Sequence, residues 1–128
     1  MQTLCIDTNI YSALRRGDKS VVKKISQYER VVIPVVVLGE LRAGFLGGSK
    51  IAENQQNLTE FLASEFVYVA KVSEATTSIY AELVAELKRK GKPIPTNDIW
   101  IAAITLEQRA RLLTLDAHFS NIEGLVLV

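Results

Sequence analysis

The sequence predicts an α/β fold of three layers, with a central, mainly parallel five-stranded sheet between helices. Two observations carry that expectation. Short apolar runs alternate with longer helical stretches along the whole chain. The runs also lack the polar alternation of a half-exposed strand, as parallel strands buried on both faces do. The 128 residues suit one compact domain, 1–128, with no repeat, linker or low-complexity tract. Apolar residues at 48% and charged residues at 23% are ordinary globular composition.

The first run, residues 4–6, ends at Asp7 and reads as a strand. Asp7, Thr8 and Asn9 offer capping side chains for a helix that Ile10 and Leu14 open and Gly17 ends. Residues 18–28 predict a second helix, with Val21, Val22 and Ile25 on one face and Lys19, Lys23 and Lys24 on the other. The β-branched run 31–33 is a second strand. Pro34 fits the first turn of the next helix, which Gly47 and Gly48 stop. Another helix covers 51–63, and a third strand 66–69. Ser73 begins a long helix with Ala75, Ile79, Leu83 and Leu87 every four residues, and basic residues close it at Gly91. Pro93 and Pro95 hold the following loop extended. Thr96 or Asn97 caps a helix from Asp98 to about Arg109, and strands at 112–115 and 125–128 complete the sheet.

Composition excludes several classes. A net charge of +1 gives no global field, so nucleic-acid binding needs local patches or metal ions that reverse the sign of an acidic pocket. The single cysteine, Cys5, cannot form an internal disulfide and reads as a buried core thiol. One cysteine and one histidine exclude the usual zinc spacings. Neither a secretory signal nor a membrane-length apolar stretch is visible, so the cytoplasm is the default expectation.

Four acids stand out by position. Asp7 and Asp116 follow strands, Asp98 opens a helix, and Glu40 lies among Val35, Val36, Val37, Leu38 and Leu41. Ligands of open parallel sheets bind beyond the carboxyl ends of the strands. Singly, each acid has a structural explanation: a cap at Asp7 and Asp98, a turn at Asp116, an arginine partner such as Arg42 for Glu40. Together they suggest carboxylates that a hard Mg²⁺ or Mn²⁺ ion would join.

Four segments then resemble the PIN domain, and within it the VapC-type toxins of toxin–antitoxin pairs. They are Cys5-Ile6-Asp7-Thr8-Asn9-Ile10, Gly39-Glu40-Leu41-Arg42-Ala43-Gly44, Pro95-Thr96-Asn97-Asp98-Ile99-Trp100-Ile101-Ala102-Ala103 and Leu113-Thr114-Leu115-Asp116-Ala117-His118-Phe119. They occur in the family's order over essentially the whole chain. The resemblance implies Asp7, Glu40, Asp98 and Asp116 as catalytic metal-site residues, with Asn9 and Thr114 as supporting polar groups. Where some relatives carry a further acid, this chain has His118, expected to order the turn before Phe119.

The implied activity is metal-dependent cleavage of RNA by in-line attack, leaving a 5′-phosphate and a 3′-hydroxyl. Metal lowers the pKa of water and neutralises charge on the phosphate. RNA would be held by Arg15, Arg16, Lys19, Lys23 and Lys24, or by Lys88, Arg89, Lys90 and Lys92. Implied partners are a cognate antitoxin and a second copy of the chain. Two rivals compete. A phosphotransfer receiver domain needs an acid ending the third strand, where Ala70-Lys71 stands instead. A PIN-like module that binds RNA or protein without catalysis needs no intact set of acids.

Overall fold

The computed structural model describes residues 2–128. Its elements are β1 (Thr3–Ile6), α1 (Thr8–Arg15), α2 (Lys19–Ser26), β2 (Arg30–Pro34), α3 (Val35–Leu46) and α4 (Ile51–Leu62). They continue with β3 (Val67–Ala70), α5 (Glu74–Lys90), α6 (Thr96–Glu107), β4 (Arg111–Leu113) and a short 3₁₀ helix (Ala117–Asn121).

The sheet runs in the order β3-β2-β1-β4, and every pairing is parallel. β1 therefore has a neighbour on each side, with Leu4 opposite Val31 and Ile6 opposite Leu113. Leu4, Cys5 and Ile6 are fully buried, as a central strand covered on both faces requires. One contiguous core joins these residues to Val31, Val32, Ile33, Val37, Leu58, Ile101, Ile104, Leu112 and Phe119. Each fully buried aliphatic side chain contributes roughly 1.5–3 kcal/mol relative to exposure.

The chain builds the sheet outward on one side of β1 through β2 and β3, then returns to the other side for β4. The order reverses between β2–β1 and β1–β4, and such a switch point leaves a crevice at the carboxyl edge. The ends of α5 are set by local chemistry. The Ser73 hydroxyl accepts from the Thr76 amide while the Thr76 hydroxyl accepts from the Ser73 amide. At the other end Gly91 adopts φ 66°, and the Gly91 and Lys92 amides donate to Lys88 and Leu87 carbonyls, closing a Schellman motif. No helix among the described residues is long and apolar enough to cross a membrane.

Several expectations shift. The sheet has four strands among the described residues, not five. The tail lies beside β4, but only as the bridge Leu112–Leu127, flanked by hydrogen bonds from the Leu112 amide to Val126 and from the Val128 amide to Leu112. β4 is three residues long, so a single residue offers its free edge to the tail. β4 stops at Leu113, leaving Thr114 beyond the strand and Leu115 65% exposed. Pro34 ends β2 and precedes α3 rather than sitting in its first turn. Thr96 and Asn97 lie inside α6, whose N-cap position is Pro95 with no side-chain cap. A proline there still fixes an extended entry, φ −55° and ψ 143°.

Candidate active site

All strands being parallel, their carboxyl ends share one edge. Asp7 directly follows β1 and is the N-cap of α1, its Oδ1 accepting from the Ile10 amide at 3.2 Å. Glu40 lies on the second turn of α3 after β2. Asp98 is in the first turn of α6. Asp116 follows β4 and caps the 3₁₀ helix, accepting from the His118 amide at 3.3 Å. These four side chains line one pocket of about 200 Å³, together with Thr8, Asn9 and Ile101.

Hydroxyls hold two of the carboxylates. Thr8 donates to Glu40 Oε1 at 2.6 Å, and Thr114 donates to Asp7 Oδ2. Thr114 in turn accepts from the Asp116 amide at 3.0 Å, tying the acid after β4 to the acid after β1. Asn97 reaches Glu40 Oε2 at 3.4 Å. His118 Nε2 contacts Asp116 Oδ1 and lies 3.5 Å from Asp98 Oδ2. Among the described residues no lysine or arginine is ion-paired with any of the four acids. Arg42, the sequence's suggested partner for Glu40, instead meets Gln55.

The electrostatics follow from this crowding. Asp7 is only 6% exposed, and burial raises its carboxyl above the ordinary value. The Thr114 hydroxyl and Ile10 amide oppose that rise, while the charges of Asp116 and Glu40 add to it. Burial raises Asp98 as well, with Asp116 pushing further up and His118 pulling down. Oxygen ligands gathered this way, two pre-oriented by threonines, fit a hard divalent cation. Ligand atoms of Asp98, Asp116 and His118 also lie within 4.8 Å of one another.

The structure thus brings all four sequence-predicted acids to one place, with Asn9 on the pocket wall and Thr114 bonded to Asp7. His118 does order its turn through its amide, and its ring additionally reaches two of the acids. Sequence reasoning missed Thr8 and Asn97 as partners of Glu40. Their adjacency to Asp7 and Asp98 was the available signal. Trp100 stacks on Tyr80 at 3.8 Å and is half-buried between α5 and α6, so it belongs to packing.

An acid cluster at the switch point of a parallel sheet defines a class, and comparison with known proteins gives that class its name. Residues 4–125 match the PIN domain, and the chain belongs to that family. Among curated proteins it is similar to Ribonuclease VapC2 of Rickettsia felis, 31% identical over 127 residues, covering 95% of this chain and 93% of the relative. Ribonuclease VapC5 of Mycobacterium tuberculosis is 26% identical, covering 93% and 87%. Among solved structures, VapBC2 from Rickettsia felis, bound to a DNA fragment from its promoter, aligns with TM-score 0.89 and 29% identity over 99% of this chain and 98% of the other. VapBC-1 from nontypeable Haemophilus influenzae aligns with TM-score 0.86 and 25% identity over 100% and 97%.

Proposed function

We propose that this protein is a Mg²⁺- or Mn²⁺-dependent endoribonuclease, the toxin of a toxin–antitoxin pair, silenced by a cognate antitoxin. The observation that carries the reading is the convergence of Asp7, Glu40, Asp98 and Asp116 on one pocket without a lysine or arginine partner among the described residues. The names of the relatives, ribonucleases and toxin–antitoxin complexes, support the reaction class and the antitoxin.

In this reading the four carboxylates hold one or two divalent ions. Bound there, the metal supplies a Lewis acid for the phosphate and a lowered pKa for water. The remaining tasks fall to the chain. Thr8 and Thr114 fix the orientation of Glu40 and Asp7, so that the oxygens need not reorganise when the ion or substrate arrives. One carboxylate accepts the proton of the attacking water. In-line attack on the phosphodiester releases a 3′-hydroxyl and leaves a 5′-phosphate. Asn9, exposed on the pocket wall, would orient water or ribose. The protein acts as a homodimer, and the antitoxin covers the pocket when bound.

Incubation of the purified protein with RNA tests this. Cleavage should require Mg²⁺ or Mn²⁺, stop with EDTA, and disappear in Asp98→Ala. Cleavage that survives EDTA, or an Asp98→Ala protein as fast as the parent, contradicts the assignment. RNA bound but never cut would instead mark a binding module.

A further inference from the structure

A second cleft opens beside the acidic pocket, along the same helix. It has a volume of about 430 Å³ and lies between the end of α1, Phe45 of α3 and the first turns of α4. Arg15 and Arg16 face it from α1, and Lys50 from the start of α4. None of these three cations is ion-paired among the described residues. A single carboxylate, Glu53, stands among them, and the amides of Asn54 and Asn57 complete the polar wall.

Tyr11 supplies an independent sign of a ligand. It is 2% exposed, its ring packed edge-on against Phe61 at 5.2 Å. The residue lines the cleft, and its buried hydroxyl has no hydrogen-bond partner among the described residues. A buried hydroxyl is costly to leave unpaired, so an acceptor brought within its reach is favoured. Burial raises the phenol pKa, which keeps the group a donor.

The two clefts are lined by the same two helices, α1 and α3. Thr8 lines the acidic pocket and Arg15 lines the basic one, two turns apart on α1, about 10 Å along its axis. Ser12 lies between them, its hydroxyl donating to the Thr8 carbonyl at 3.2 Å. α3 packs against both α1 and α4, placing Glu40 in the first cleft and Phe45 in the second.

We propose that this Arg15–Arg16–Lys50 cleft grips the phosphates of the RNA strand on one side of the scissile bond and so sets the strand's direction across the acidic pocket. The proposal rests on the ribonuclease reading above. It separates the basic residues the sequence offered: Arg15 and Arg16 join Lys50, which stands outside both basic runs of the sequence. The cleft's chemistry selects a polyanion over a peptide. Its cations and amides contrast with the mostly apolar groove that Leu14 of α1 forms with Val22, Ile25, Ser26, Tyr28 and Phe66. Tyr11 donates to a phosphate or ribose oxygen, and Phe45 offers a face for a base.

The test is fluorescence anisotropy with a labelled single-stranded oligouridine in Mg²⁺, on an Asp98→Asn background so that the strand survives. Arg15→Gln, Arg16→Gln and Lys50→Gln together should weaken binding roughly tenfold or more at low salt. The slope of log affinity against log salt should fall by about 2, at roughly 0.7 for each phosphate no longer neutralised. Tyr11→Phe should weaken binding a few-fold and leave the slope alone. Lys19→Gln, Lys23→Gln and Lys24→Gln on α2 form the control. All targeted cations are exposed, and matching thermal midpoints verify folding. An unchanged slope in the triple variant overturns the proposal, whatever else the cleft takes. So does an equal loss from the α2 control, which marks diffuse attraction. If the parent cleaves RNA and Asp98→Ala does not, either result removes the cleft alone. A parent that neither binds nor cleaves RNA removes the ribonuclease reading first, and the cleft with it.

Discussion

Carboxylates are treated differently at two places in this molecule. Beneath the start of α5, Glu107 accepts hydrogen bonds from Thr76 at 2.5 Å and Ser73 at 3.3 Å, one to each carboxylate oxygen. At the end of the same helix Lys90 lies 3.0 Å from Glu86 and 3.6 Å from Glu123. In the pocket at the switch point, by contrast, threonine hydroxyls orient acids that still repel one another. Asp7 and Asp98 are both raised by burial and by neighbouring carboxylates. The first arrangement is complete within the chain. The second is electrostatically unfinished, balanced either by protons on the raised carboxyls or by a cation among them, as the proposed function requires.

The largest expected difference is in activity. Asp98→Ala should lower RNA cleavage by roughly a hundredfold or more, since even residues that merely orient metal ligands are worth roughly 10–100-fold. Glu107→Ala should leave the turnover per folded molecule unchanged. Measured rates that fall equally for both would erase the distinction.

Next comes a pair of matched threonines. Thr114→Val removes the hydroxyl that holds Asp7, and should reduce metal affinity or activity roughly 10–100-fold. Thr76→Val removes the hydroxyl that meets Glu107 and half of the α5 capping box, and should lower stability by about 1 kcal/mol without touching activity. Calorimetric metal titration and urea melts read the two effects separately.

Stability without metal should move in opposite directions at the two places. In EDTA, Asp98→Asn relieves repulsion and should raise the thermal midpoint by a few degrees, whereas Glu107→Gln should lower it or leave it still. The pH dependence has a definite sign. Asp7 and Asp98 hold their protons more tightly folded than unfolded. Between the ordinary carboxylate value and their raised folded values, the native state binds the extra protons, so their contribution weakens the fold as pH rises. The advantage of Asp98→Asn over the parent should therefore shrink as pH falls through that window. An advantage that grows toward acid would contradict it.

The smallest effect concerns Cys5. It is fully buried and its thiol is pushed up to about 12 by burial. A thiol reagent at neutral pH should label it only at the rate of global unfolding.

The positions of the acids were legible because each sits where local pattern changes: after an apolar strand, or at a helix start. The ends of the short apolar runs, and Pro95 ahead of α6, marked those boundaries well enough to put Asp7, Asp98 and Asp116 at one edge. Glu40 was legible as a charge inside an apolar helix face. What local pattern could not give was pairing across the chain. Thr8 meets Glu40 over a separation of 32 residues, and Thr114 meets Asp7 over 107. The fifth strand failed for a related reason, because apolar residues at 125–128 show the tendency to extend but not whether β4 is long enough to pair with them. Lys50 was hidden because its significance depends on α4 folding against α1.

The central claim is that a divalent cation joins these carboxylates, and titration calorimetry with Mn²⁺ at neutral pH addresses it most directly. The parent should bind Mn²⁺ saturably, and Asp7→Asn with Asp98→Asn should lose most of that binding while staying folded. A parent that takes up no ion, or a double variant that binds it as tightly, would contradict the account.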